Sequence, residues 1–258
     1  MNRLSSALLS VLLVLTSSLA GEEISAPKLQ VVTEEGYPIN YLDTNTGEVV
    51  GFATEFLKLL LQEADLEYEL KLIPWSRAYR KAISEPNVII YSMGRLPERE
   101  SQFEWIGPVM DITYNLYGLT RKADQYPRDI EKLKTYRVAV TKNDLNHSYL
   151  KNNGFTNLIF VHDYPHMNNL LERERVDFIA SSLTGTYFFT QRYNKGFSYL
   201  TPIHGFSDLD VSLYYAVSKN TDSGVVKRLK EAYKVLVDKG VFDKVMRPLL
   251  EQQAAAIN

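Results

Sequence analysis

The sequence contains no cysteine, which excludes disulfides, thiolate nucleophiles, cysteine-based zinc sites and iron–sulfur clusters together. Histidine is scarce, with four in 258 residues. His162 and His166 have i,i+4 spacing, but Pro165 falls between them and works against a shared helical face, so no metal site is expected. Neither sign of charge is in excess, with 29 Lys+Arg against 31 Asp+Glu. That balance argues against a nucleic-acid partner, which would call for a basic surplus. Glycine-rich phosphate loops are missing, and nothing beyond the first twenty residues is apolar for long enough to anchor the chain in a bilayer. What remains is 45% apolar and 23% charged, the make-up of a globular protein of one large or two small domains. Seventeen tyrosines are a generous supply, suited to aromatic-lined contact surfaces as well as to a core.

Residues 1–20 read as an export signal. Arg3 supplies a positive start, Leu8 to Leu15 an apolar stretch far shorter than a membrane span, and Ser18-Leu19-Ala20 a small-residue cleavage site. Cleavage after Ala20 would release an unanchored, soluble protein, and the expected location is a bacterial periplasm.

Beyond this point strands alternate with helices. Lys28 to Thr33 predicts a strand, and Thr44 to Gly47 a hairpin turn. Gly51 opens a helix whose apolar positions Phe56, Leu59, Leu60 and Ala64 follow the helical period. Tyr68 to Ile73 and Val88 to Tyr91 predict strands around a short helix from Trp75 to Ala82. A second unit follows, with strands at 136–140, 158–161 and 177–180 and helices at 144–152, 166–173 and 186–192. Met110 to Thr120 and Val211 to Val217 are strand-like and placed to cross between the units. A helix over 224–240 and a short one after it close the chain. This βαβα order predicts mixed or parallel sheets covered by helices.

The order of these pieces resembles the family 3 bacterial extracellular solute-binding proteins, the periplasmic receptors of polar amino-acid importers. The residues that carry the resemblance are Val31 to Pro38, Gly47 to Phe52 leading into a helix, Arg99 followed by Trp105 and Pro108, Arg175-Val176-Asp177, and Leu213 to Lys219. It extends over roughly residues 27 to 250. The resemblance implies an α/β, two-lobe periplasmic-binding-protein fold (type II), with mixed sheets flanked by helices and two hinge strands. Lobe 1 would comprise 21–115 plus 213–258, and lobe 2 residues 116–212.

The resemblance also assigns roles to residues. Arg99 would clamp a ligand carboxylate through its planar fork of donors, the reading favoured by its spacing to Trp105 and Pro108; the other is a surface ion pair with Glu98 or Glu100. Arg95 is a weaker candidate on the same segment. Ser92 would donate a hydroxyl, and Tyr37 and Trp75 would form flat walls against the ligand's carbon skeleton. Glu34 is expected as a solvated loop carboxylate, with a cationic ligand group as the other reading. In the second lobe the match loosens. Ser182 stands where the family usually carries an aspartate that balances a ligand ammonium, and Asn143-Asp144 stand where a Gly-Thr pair is usual. Asn143 and Ser182 are expected to join the ligand on closure, while Asp144 is read as a helix cap.

The function implied is a monomeric, periplasmic receptor for a small polar, carboxylate-bearing ligand, without a cofactor, delivering it to the permease of an inner-membrane ABC importer. Two alternatives stand beside it: a dehydratase-like enzyme acting on a cyclic carboxylate, and a ligand-sensing partner of a signalling receptor.

Overall fold

The computed structural model describes residues 28–207, 209 and 211–257; the export signal and its cleavage point lie outside them. Segments such as Val31-Val32 and Val88 to Tyr91 are apolar on both faces of a strand, so each needs cover on two sides. The fold supplies it. In chain order the elements are β1 (Leu29–Thr33), β2 (Tyr41–Leu42), β3 (Val49–Val50), α1 (Phe52–Glu63), β4 (Tyr68–Leu72), α2 (Trp75–Ser84), β5 (Val88–Gly94), β6 (Phe103–Ile112) and β7 (Tyr114–Leu119). There follow α3 (Ile130–Leu133), β8 (Val138–Thr141), α4 (Leu145–Asn152), β9 (Leu158–Val161), α5 (Tyr164–Glu172), β10 (Phe178–Ser182), α6 (Leu183–Arg192), β11 (Leu200–Gly205), β12 (Val211–Ser218), α7 (Ser223–Asp238) and α8 (Val241–Ile257).

Two five-stranded mixed sheets result, ordered β4-β1-β5-β12-β6 and β11-β7-β10-β8-β9. In the first, β4, β1 and β5 run parallel, while β12 is antiparallel to both of its neighbours. In the second, β9, β8 and β10 are parallel, and β7 is antiparallel to both of its neighbours, β10 and β11. Side-chain alternation along the strands divides each core in two. Leu29, Val31, Ile89, Tyr91, Tyr215 and Val217 join α1, α7 and α8 on one face of the first sheet, while Val32, Ile90, Met93 and Ala216 join α2 on the other. Around the second sheet, Val138, Val140 and Phe178 pack with Tyr149 and Leu150 of α4, and Ala139 and Ile179 pack with Met167 and Leu171 of α5.

The chain passes between the sheets twice, at Thr113 and between Gly205 and Val211. The expected continuous strand over 110–120 is therefore two strands, the first beginning at Phe103, and the changes of sheet fall a few residues before 115 and 212. Strand β11 was not anticipated, and the final helix is long: α8 has 17 residues with Pro248 inside it. In α1, Leu57 and Leu61 are buried in addition to Phe56 and Leu60, whereas Leu59 is 36% exposed. The inward stripe is shifted by part of a turn because the helix meets both α7 and α8.

Candidate functional site

Parallel strands of an open α/β sheet leave their carboxyl ends free to present loops, and ligands bind in the crevice beyond them. Here the ends of β1 and β5 in one lobe face the ends of β8, β9 and β10 in the other. Between them is a cleft of about 400 Å³ lined by residues that include Glu34, Tyr37, Trp75, Ser92, Arg99, Tyr114, Asp144, Asn146, His162 and Ser182.

Arg99 lies in the two-turn 3-10 segment Pro97–Gln102 and is only 3% exposed. Its guanidinium donates from Nη1 to the carbonyl of Gly94 (3.1 Å) and from Nη2 to that of Asn143 across the cleft (3.5 Å). It stacks on the rings of Trp75 and Tyr79, 5.4 and 5.2 Å from their centres. No carboxylate among the described residues lies within 4.0 Å of it. A buried cation partnered only by carbonyls and ring faces retains donors for an incoming anion.

Arg95, four residues earlier, has the opposite fate. It is exposed, pairs with Glu100 through Nε (2.9 Å) and Nη2 (2.5 Å), and lies over Trp105 and Tyr214. The ion pair considered for Arg99 belongs to Arg95, whose own pKa is driven up by Glu100; it does not line the cleft. Trp105 packs there as expected.

Trp75 is buried and donates its indole Nε1–H to the Asn143 carbonyl at 2.8 Å. Asn143 therefore contributes its backbone, held at a positive φ of 64°, and not its side chain, which is exposed. Tyr37 lines the cleft at its rim, edge-on to Tyr41 with ring centres 4.7 Å apart and covered by the Arg192 guanidinium at 4.9 Å. Arg192, from α6 in the other lobe, also pairs with Glu35 at 3.0 Å. These bridges, with Leu145 of α4 packed beside Leu96 and Val211, hold the lobes against each other.

Ser92 has a positive φ of 56°, and its Oγ is buried without a hydrogen-bond partner among the described residues. Ser182 caps α6, accepting from the amide of Gly185 at 2.9 Å. The structure thus brings Tyr37, Trp75, Ser92, Arg99 and Ser182 to one cleft, adds Asn143 through its carbonyl, and leaves Arg95 outside.

From sequence, Glu34 and Asp144 were not expected to meet in the cleft. Glu34 is not a solvated loop residue; burial, reinforced by the charge of Asp144 and opposed by Arg99, raises its pKa to about 8. Asp144 faces it from the other lobe, and burial raises it to about 6 against its bonds from His147 and Asn146. Position offered a signal for Glu34, since it follows the last residue of β1 and so belongs at the strand's carboxyl end. For Asp144 the capping role concealed the other face of the carboxyl.

Both shifts have the same sign. A folded-state pKa above the unfolded one means that folding takes up protons, so stability falls as pH rises through the interval. For Glu34 that interval runs from its ordinary 4.5 to about 8, and for Asp144 from 3.8 to about 6. Urea unfolding at about pH 5 and about pH 8 should show the wild type losing stability over the interval and Glu34→Gln losing less. Parallel losses would mean that the Glu34 carboxyl is hydrated in solution.

Two lobes that exchange strands, with a cleft at the carboxyl ends of their parallel strands, define a two-lobed solute-binding protein of the type II periplasmic class. Residues 29–248 match the model for bacterial extracellular solute-binding proteins, family 3, and the chain belongs to that family. Comparison with curated protein sequences gives no significant match. Similar solved structures include a histidine kinase sensor domain with similarity to periplasmic binding proteins (TM-score 0.75, 17% identity, covering 87% of this chain and 96% of that one). Another is the arginine-, lysine-, histidine-binding protein ArtJ from Geobacillus stearothermophilus (0.73, 17%, 86% and 95%). A third is an amino-acid ABC transporter substrate-binding protein from Streptococcus pneumoniae bound to L-arginine (0.73, 17%, 90% and 96%). At these identities the likeness is one of fold. Among the described residues no helix is long and apolar enough to cross a membrane.

Proposed function

We propose that this solute-binding protein is a periplasmic receptor, acting as a monomer, that captures a small polar ligand bearing a carboxylate, an amino acid or a close relative. It closes on that ligand and presents it to the permease of an ABC-type importer. One observation carries the reading: Arg99 is almost fully buried at the cleft with no carboxylate partner among the described residues, and a buried guanidinium in that state favours a bidentate anion. Trp75 and Tyr37 supply apolar walls, and Ser92 an unused hydroxyl. Two of the similar structures are named for basic amino acids, which supports the amino-acid class. Closure is the exchange of an open for a closed state about the crossings at Thr113 and between Gly205 and Val211, and ligand favours it only by its preference for the closed form.

The test is a thermal-shift screen of residues 21–258 against amino acids, organic acids, amines and sugars. A ligand present at about a thousand times its Kd stabilises by about 4 kcal/mol, a clear rise in Tm. Hits confined to carboxylate-bearing compounds support the reading. Hits confined to sugars or to amines without a carboxylate overturn it.

A further inference from the structure

The cleft contains more hydrogen-bond acceptors than the protein itself satisfies, and they gather at the start of α4. Asp144 caps that helix through Oδ1, accepting from the His147 amide at 2.7 Å, and its Oδ2 accepts from Asn146 Nδ2 at 3.2 Å. That second bond settles the orientation of the Asn146 amide, because a flipped amide would set its oxygen against the carboxylate. Asn146 Oδ1 is then the free end. Asn146 is only 6% exposed, it lines the cleft, and Oδ1 has no partner among the described residues. A buried acceptor left without a donor is costly. Beside it Asp144 is half-buried, with no cation within 4.0 Å among the described residues, although it senses the charge of Arg99. A carboxylate without a paired cation and an amide oxygen without a donor match a compact group with several N–H donors and a positive charge, which is an ammonium.

We infer that Asp144 and Asn146 hold the ammonium group of the ligand in the second lobe, next to the carboxylate held by Arg99. This rests on the receptor reading above and supplies the charge that Ser182 cannot. Ser182 offers a neutral hydroxyl whose oxygen already accepts the Gly185 amide. The capping role of Asp144 does not compete with this one, since capping occupies one oxygen and the ammonium needs the outward lone pairs of the carboxyl.

The experiment uses calorimetric titration of the whole mature chain with two pairs of probes. L-arginine is compared with 5-guanidinopentanoate and L-glutamine with glutaramate, each pair differing only in the α-ammonium. The wild type is expected to prefer the amino member by about tenfold or more, the range for a hydrogen bond to a charged group. Asp144→Ser retains the helix cap and should reduce that ratio to within about threefold of unity. Asn146→Leu, which removes the free acceptor and the Nδ2 donor to Asp144 Oδ2 but leaves the cap bond from His147 in place, should lower the same ratio. This comparison isolates the pairing of side chain and ammonium from any general loss of affinity. Equal binding of both members by the wild type would overturn the inference while leaving the receptor reading intact. So would a ratio that survives Asp144→Ser, or one that collapses in Ser182→Ala instead. A folded Asp144→Ser protein that binds none of the four probes would assign Asp144 a structural role and overturn the inference. A wild type that binds none of them, and whose hits in the thermal-shift screen are confined to sugars or to amines without a carboxylate, would overturn both.

Discussion

Arg99→Ala is expected to reduce affinity for the captured ligand by about 2–5 kcal/mol, from roughly thirtyfold to several-thousandfold in Kd. The effect is large because the guanidinium is almost completely withdrawn from water. Its field reaches a ligand carboxylate with little screening, and removal of the cation would leave that carboxylate unpaired at the bottom of the cleft. Geometry reinforces charge. Gly94 O and the Trp75 and Tyr79 rings hold the fork in one plane, so its remaining N–H groups are already aimed. Arg99→Lys should recover little, because a single ammonium on a flexible stem cannot replace a planar fork seated on two rings. Calorimetric titration of the ligand found in the screen measures both variants. An Arg99→Lys protein that binds as the wild type does would reduce the clamp to a point charge. Arg95→Ala is the control: its guanidinium is engaged by Glu100 outside the cleft, and affinity should be unchanged.

Phe56→Ala should lower unfolding stability by about 3–5 kcal/mol, the usual result of emptying an aromatic site in a core. Phe56 is fully buried, and its ring meets those of Tyr215, Tyr233 and Phe242 at 5.7, 5.6 and 4.9 Å between centres. Those three rings belong to β12, α7 and α8, which return to the first lobe after the chain has built the second. The phenylalanine therefore pins the end of the sequence to its beginning. Against a total stability of about 5–15 kcal/mol for a domain, the loss is severe. Both tryptophans, Trp75 and Trp105, lie in the same lobe, so a urea titration followed by tryptophan fluorescence reports on the lobe concerned. Leu59→Ala, on the outer side of the same helix, should change stability by no more than about 0.5 kcal/mol. If the two variants unfolded at the same urea concentration, the inward stripe of α1 would be wrongly placed.

Most of the architecture was legible along the chain. Burial within one element repeats with that element's own period, so Val31-Val32 and Val88 to Tyr91 announced strands covered on both faces, and Phe56 and Leu60 a helix with one face inward. The succession of such elements was enough for an α/β protein of two units, and family resemblance added Arg99, Trp75, Tyr37, Ser92 and Ser182. The errors have a common cause. The break at Thr113, strand β11 and the length of α8 depend on which sheet each segment joins, and no local period encodes that.

The site divides in the same way. Arg95 and Arg99 are four residues apart with similar neighbours, and as a sequence they differ little. In the fold, one turn of 3-10 helix directs Arg99 under Trp75 and leaves Arg95 on the outer surface with Glu100. Likewise Asp144 is legible as a helix cap, a role set by its immediate neighbours. That its carboxyl also meets Glu34 from the opposite lobe follows from the convergence of strand ends more than a hundred residues apart in sequence. Composition, periodicity and capping are local and the sequence alone determined them: the classes of chemistry excluded, the elements and much of the core. The cleft, its buried guanidinium and the raised proton affinities of its two carboxyls come from non-local packing, which brings groups into a shared low-dielectric space where each feels the others. Only the tertiary structure decided those.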